Sequence, residues 1–344
     1  MTAAPSDLQG ALDAAVGPLP PNAGPDRRAL DEALRDALSG GKRFRPRLVA
    51  AVHDALGGTA RTAVAEVGAA VELLHTAFLV HDDVIDGDDL RRGRPSTPGR
   101  FRAEALADGA TPQGAESYAR AASVLVGDLA LSHALRAVTL CDVDAGTRAS
   151  LLDLFDTALR VSATGELADV RLSLGVAEPT LAEVLAMEAQ KTAAYSFELP
   201  MQAGAVLAGA ESAVVDGVGR VGRLLGVAYQ LLDDLEGVFG DPEGTGKAPL
   251  GDLREGKRTP LMVHAQSSST WGRVSPYLGR ADLDPADAAR VRNALEEGGS
   301  HAFVEELARR HLREAAEQSE VLGLPTDLVH IVGAVASDRA AGAA

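Results

Sequence analysis

Aromatic side chains make up only 3% of the 344 residues, and there is a single cysteine, Cys141. A lone cysteine cannot close an internal disulfide, so the chain is expected in a reducing compartment, the cytoplasm. Positive charge is scarce as well: 33 Lys and Arg stand against 49 Asp and Glu, a net charge of −16. This balance argues against a general binder of nucleic acid or of anionic membranes, since both need positive potential. A basic leader is missing at the N-terminus, where Asp7 and Asp13 interrupt the small residues, so no export is expected. No membrane span is expected either, because residues such as Glu72 and His75 break the apolar stretches before the run of about 18 that a span needs. Also lacking is any series of alternating Val/Ile/Thr-rich runs of the kind that builds a sheet. What is there instead is Ala- and Leu-rich sequence punctuated by 36 Gly and 17 Pro, which predicts an all-α protein.

A chain of this length exceeds the size at which one core usually stops growing, so two domains or one large helical domain are possible, and the composition favours the second. The stretch "GPLPPNAGP" at 17–25 cannot continue a helix. Residues 1–25 are therefore expected to be a leading segment and linker, and 26–344 the main domain. "EALADGATPQGAES" at 104–117 reads as a surface loop, and polar stretches at 240–259 and 265–287 interrupt the helical pattern.

Apolar spacing carries the next step. Val64, Val67, Val71, Leu74 and Phe78 follow one another at three- and four-residue intervals, one face of a helix. Two further steps of four reach Asp82 and Asp86, within a run of five aspartates in eight positions, 82–89. Val218, Val221, Leu225 and Tyr229 form a second stripe that leads to Asp233, followed by Asp234. Twice, a face that should bury itself ends in carboxylates.

An isolated acidic cluster is ordinarily a solvated face or a helix cap, but these extend a core face. Burying a carboxylate is costly unless hydrogen bonds, a counter-ion or a metal offset it. Carboxylate oxygens with little His or Cys nearby suit a hard ion such as magnesium, which prefers to share its coordination with phosphate. Basic clusters then stand out in so acidic a chain: "GGKRFRP" at 40–46, "DLRRG" at 89–93, "QKT" at 190–192, "TGK" at 245–247 and "REGK" at 254–257. Each alone is an ordinary surface charge. Together they provide for two diphosphate groups, and with Leu74 and Phe78 beside the acids they describe an amphipathic diphosphate, an isoprenoid.

These residues resemble the trans-isoprenyl diphosphate synthases, the polyprenyl synthetase family. "GGKRFRP", "LLHTAFLVHDDVIDGDDLRRGRPS", "GDLAL", "QKTAAYSFELP" and "YQLLDDLEGVFGDPEGTGKAPLGDLREGKRT" stand in the family's order, from about Leu30 to Arg339. The resemblance implies an all-α bundle around a deep central cavity, usually a homodimer. It implies magnesium-dependent loss of diphosphate from an allylic substrate, attack by isopentenyl diphosphate on the allylic cation, and loss of a proton. By motif, Asp82, Asp83, Asp86, Asp233 and Asp234 would hold the metal. Lys42, Arg45, His75 and Arg92 would bind isopentenyl diphosphate. Arg91, Lys191, Thr192, Gln230, Lys247 and Lys257 would hold the allylic diphosphate or its leaving group.

Two departures from the family pattern are visible. "DDLEG" places Gly237 where a third acid is common, with Glu236 as a partial substitute. "GELAD" places Glu166 where the family often has Gln, leaving Asp169 as a residue behind the site. Phe78, one turn or about 5.4 Å below Asp82, is expected to limit product length, with Ala77 beside it leaving room. That favours geranylgeranyl diphosphate, with farnesyl diphosphate as the alternative. Two further alternatives are a class I terpene cyclase, which the scarcity of aromatics disfavours, and a silent subunit of a heteromeric synthase.

Overall fold

Helix boundaries follow the punctuation of the chain. In the computed structural model, which describes residues 7–91, 93–240, 251–280, 282–325 and 328, the first six helices are α1 (Leu8–Val16), α2 (Pro25–Leu38), α3 (Phe44–Ala55), α4 (Arg61–Asp86), α5 (Thr97–Ala107) and α6 (Pro112–Leu140). Pro25 opens α2, where its missing N–H costs nothing. Gly87, at φ 73°, closes α4 immediately after Asp86 in a left-handed conformation that glycine adopts without penalty. After α7 (Ala145–Ser173) and α8 (Leu181–Glu188) comes a π-helical segment, Ala189–Glu198, continued by α9 (Leu199–Leu207) and α10 (Ser212–Phe239). Shorter helices and the long Ser300–Val321 complete the described chain. The all-α expectation holds; the one strand pairing among the described residues is a ribbon of Leu90–Arg91 with Arg94–Pro95.

The stretch 104–117 differs from its expectation. Most of it is helix, α5 running to Ala107 and α6 starting at Pro112. Thr111 caps α6 by accepting from Gly114 N, and Pro112 takes the first helical position, so its polar and Gly/Pro content marks a helix start as much as a loop.

The chain separates into two compact units, one made of the described residues up to Asp153 together with Ala203–Gly209, the other of Leu154–Gln202 and the described residues from Ala210 onward. In the first, α4 is the central helix and packs on α6, α3 and α1. Val67, Val71, Leu73 and Leu74 are wholly buried, each contributing about 1.5–3 kcal/mol of burial. The leading helix α1 adds Leu8, Leu12 and Ala15 to this core. Glu72, inside the buried length of α4, is met by Arg43 at 3.0 Å. Gly127 of α6 makes room for His81, since a Cβ there would lie 2.2 Å from the imidazole Nε2.

Two helices correct the expectation that charge interrupts every long apolar run. Arg61–Asp86 and Pro112–Leu140 are both long and apolar enough to cross a membrane by length and composition. In α4 the apolar window is 78% buried within the protein, as in the core helix of a globular protein. Its internal charge is tolerated because Arg43 neutralises it. The corresponding window of α6 is only 39% buried, and Tyr118, Val124, Leu125 and Leu140 are exposed along it.

In the second unit, α10 packs on the π-helical segment and on the helix Ser300–Val321. Glycines allow the first of these contacts. A Cβ on Gly226 would stand 2.4 Å from Ala193 Cβ, and one on Gly222 would stand 2.8 Å from Glu198 Cα. The C-terminal half of α10 buries Leu231, Leu235 and Val238 in a cluster with Leu261, Val291 and Val304.

Candidate active site

Both aspartate-bearing helices end as the stripes require, with one shift. The stripe ending at Asp82 and Asp86 predicts those two as the inward acids, yet both are partly buried, and Asp83 is the buried one, at 3% exposure. Likewise Asp234 is buried, at 4%, and Asp233 only partly so. Successive helical residues differ by about 100°, and a helix packed on several sides buries whichever face its last turn meets. Periodicity fixes the helix and its acids but not which member of each pair turns inward.

At the end of α4, Arg91 of the ribbon turns back onto the acids. Its Nε and Nη2 lie 2.6 and 2.5 Å from Asp83 Oδ1, and Nη2 lies 3.4 Å from Asp82 Oδ2 and 3.8 Å from Asp88 Oδ2. Burial nonetheless dominates the titration of Asp83: its carboxyl is pushed up to about 6, with Arg91 offsetting part of the rise and Asp82 and Asp88 adding to it. Three aspartates, Asp82, Asp83 and Asp88, thus gather around one guanidinium.

On α10, Asp234 is met by a neutral relay. Thr192 Oγ1 donates to Gln230 Oε1 at 3.0 Å, and Gln230 Nε2 donates to Asp234 Oδ1 at 2.9 Å. Thr192 reaches α10 because the π-helical segment is pressed against the glycines described above; π-helical turns recur at functional sites. Next to it, Lys191 Nζ lies 2.6 Å from Asp169 Oδ2 and 3.0 Å from Glu166 Oε2. Gly165 permits this, since a Cβ there would fall 2.2 Å from Lys191 N. Asp169, expected behind the site, and Glu166, a departure from the family pattern, together hold the lysine. The signal that could have revealed this was the glycine directly before Glu166.

The remaining basic residues distribute as follows. Lys42, Arg45 and His75 belong to the first unit, as do Ala77 and Phe78; Lys257, 2.8 Å from Glu255, belongs to the second. Lys42 is exposed, whereas Arg45 is buried with its guanidinium 4.4 Å from the Phe44 ring centroid. Between them Arg43 adopts φ 50°, following Gly40 and Gly41 at 76° and 79°. A left-handed non-glycine of this kind costs on the order of 1 kcal/mol or more. Its side chain serves the fold, binding Glu72 and the Leu38 carbonyl. His75 and Phe78 are half-buried and Ala77 is buried. Arg92 and Lys247 lie outside the described residues.

Among the described residues, no three His, Cys, Asp or Glu side chains converge as a ready metal cage. At the end of α4 it is Arg91 that stands among the acids. The donor chemistry fits a hard divalent cation all the same: the donors are carboxylate oxygens, Asp82 and Asp86 are one turn apart, and Asp83 between them is buried.

Comparison with known proteins agrees with this chemistry. The pattern of the family described as polyprenyl synthetase matches residues 27–296. The chain is 32% identical to the (2E,6E)-farnesyl diphosphate synthase of Mycobacterium bovis, over 85% of this chain and 79% of that one. It is 33% identical to the octaprenyl diphosphate synthase of Escherichia coli, over 77% and 70%. Its fold matches the crystal structure of the geranylgeranyl pyrophosphate synthase of Corynebacterium glutamicum complexed with isoprenyl diphosphate and magnesium, with a TM-score of 0.85 and 27% identity over 98% and 97% of the two chains.

Proposed function

We propose, from the premise that this chain belongs to the polyprenyl synthetase family and is a prenyltransferase, that it condenses isopentenyl diphosphate with allylic diphosphates and releases geranylgeranyl diphosphate. Farnesyl and octaprenyl names among the relatives leave chain length to this chain's own residues. The observation that carries the reading is the pair of buried apolar helices, α4 and α10, each carrying in its C-terminal part an aspartate pair, Asp82–Asp83 and Asp233–Asp234, of which the second member is buried.

Magnesium is the cation the carboxylates would take, with Asp82, Asp83 and Asp86 at one helix end and Asp233 and Asp234 at the other. When bound it supplies the Lewis acidity that makes diphosphate a leaving group. The chain's own cations do the rest. As the allylic C–O bond breaks, negative charge grows on the departing diphosphate, where Lys191, Thr192, Gln230 and Lys257, with Arg91, stabilise it. Lys191 is held in place for this by Glu166 and Asp169, so little reorganisation accompanies the reaction. Lys42, Arg45 and His75 orient isopentenyl diphosphate, whose double bond attacks the allylic cation before a proton is lost. Arg92 and Lys247 take the corresponding motif roles outside the described residues. No nucleophilic side chain is needed.

Phe78, below Asp82 on α4, sets the length of the apolar slot, and Ala77 beside it keeps the slot open. Tyr118, Val124, Leu125 and Leu140, exposed on α6, support assembly as a homodimer, which light scattering on the purified chain would test. The buried single cysteine agrees with a cytoplasmic enzyme.

The test is direct. Purified protein is incubated with magnesium, isopentenyl diphosphate and dimethylallyl, geranyl or farnesyl diphosphate in turn, with a chelated control, and the dephosphorylated alcohols are separated by length. A twenty-carbon product that disappears with chelator is expected, and Phe78→Ala should lengthen it. A fifteen-carbon end product would correct the length assignment, an unchanged distribution in Phe78→Ala would remove the role of that ring, and no consumption of isopentenyl diphosphate would defeat the reading.

A further inference from the structure

The loop after α4 is stitched so that one side chain is delivered to a fixed place. Asp88 N donates to Asp83 O at 2.9 Å, Ser96 N to Asp89 O at 2.9 Å, and Ser96 Oγ to Asp88 O at 2.5 Å. The ribbon pairs Arg91 with Arg94, and Gly99 is packed so closely that a Cβ on it would lie 2.1 Å from Asp89 O. Held in this way, Arg91 folds back toward the helix that precedes it. Its two short contacts converge on a single oxygen, Asp83 Oδ1, at 2.6 and 2.5 Å. The stronger arrangement, a fork spanning both oxygens of one carboxylate, is not the one adopted. The side chain also keeps 29% of its surface exposed, so the guanidinium has a route away from the acids.

We propose that Arg91 is a resident counter-ion of the α4 aspartates, displaced when a divalent cation binds them and thereby released to bind diphosphate. The inference rests on the reading of Asp82, Asp83 and Asp86 as metal ligands and adds to it that two cations compete for the same carboxylates. A guanidinium within 2.5–3.4 Å of Asp83 and Asp82 and a divalent ion on the same oxygens would repel each other at contact distance. One arrives as the other leaves. Because such coupling is reciprocal, Arg91 weakens metal binding by the same factor by which the metal weakens the hold of the acids on Arg91. Without metal, the arginine neutralises the buried acid and is withheld from diphosphate. With metal, it faces the substrate with its charge uncommitted.

The test uses the full chain without substrate. Mn2+ is titrated into wild type, Arg91→Gln and Arg91→Lys, and free Mn2+ is followed by electron paramagnetic resonance, alongside thermal unfolding in EDTA and in Mn2+. Arg91→Gln should bind Mn2+ about ten-fold more tightly than wild type, the size of an ordinary coupling. Arg91→Lys, which keeps the charge but loses one of the two N–H contacts to Asp83, should show a smaller gain. In EDTA the Gln variant should melt below wild type, and Mn2+ should close the gap. Equal or weaker Mn2+ binding by Arg91→Gln, including no binding by either protein, would overturn the proposal. Should that variant fold only with metal, Arg91→Lys decides by the same criterion. Failure of the enzymatic reading shows separately, as absent isopentenyl diphosphate consumption by wild type.

Discussion

At the end of α4 the buried aspartate, Asp83, faces a guanidinium, whereas at the end of α10 the buried aspartate, Asp234, receives a neutral amide from Gln230 at 2.9 Å. The α10 arrangement is a relay of three side chains, Thr192 on the π-helical segment and Gln230 and Asp234 on α10, and the neighbouring Lys191 rests on other carboxylates, Glu166 and Asp169. The α4 arrangement is a loop residue laid over acids, one of which, Asp83, burial pushes up to about 6. The difference teaches how a chain of net charge −16 keeps its site cations in hand. In both units they are stored on carboxylates, Arg91 on the candidate metal ligands themselves and Lys191 on Glu166 and Asp169. The first store is exchangeable and the second is fixed.

Four changes would sharpen or break this contrast. The largest effect is expected for Lys191→Met, which removes the fixed cation: kcat should fall about 10²-fold, as for loss of one group that stabilises developing charge. A fall in melting temperature with kcat unchanged would make the Glu166–Lys191–Asp169 cluster a structural feature only.

Next comes pH. The folded chain holds the Asp83 proton up to about pH 6, while the unfolded chain releases it near the usual carboxylate value of about 4. Between these values the folded state binds more protons, so metal-free stability should fall as pH rises through that window, by up to about 3 kcal/mol. Urea unfolding in EDTA at both ends of the window should show this slope in wild type and a shallower one in Asp83→Asn. Equal slopes would mean that Asp83 is not the group responsible.

A smaller loss follows from Gly226→Ala, whose methyl would meet Ala193 Cβ at 2.4 Å. Overpacking of this kind costs about 2 kcal/mol, read as a lower urea midpoint, and it should carry Thr192 away from Gln230. The smallest change is Gln230→Leu. Loss of one hydrogen bond to a charged group predicts a roughly ten-fold lower rate, with the metal dependence of the rate little altered if the relay positions Asp234 rather than binding metal itself.

Much of this was legible in the sequence, for identifiable reasons. Helices and their acidic ends were readable because apolar residues at three- and four-residue steps have one geometric solution. Choosing Asp83 over Asp82, or Asp234 over Asp233, was out of reach, since neighbouring positions differ by one helical step and burial depends on which partners pack there. The π-helical segment leaves no mark in "AQKTAAYSFE"; the room for its close packing lies in glycines elsewhere, at 165, 222 and 226. The motif gave Arg91 to a diphosphate, and only the course of the ribbon reveals the aspartates it holds meanwhile. In the sequence the charge of Glu72 reads as a break in an apolar run, because its partner, Arg43, is 29 residues away.

Each aspartate pair is proposed to be required for magnesium-dependent condensation. This central claim is tested most directly by incorporation of labelled isopentenyl diphosphate into allylic product by wild type, Asp83→Asn and Asp234→Asn, each with magnesium and with EDTA. Chelator-sensitive incorporation by wild type and a loss of about 10³-fold in each variant are predicted. Full incorporation by either variant, or none by wild type, would contradict the claim.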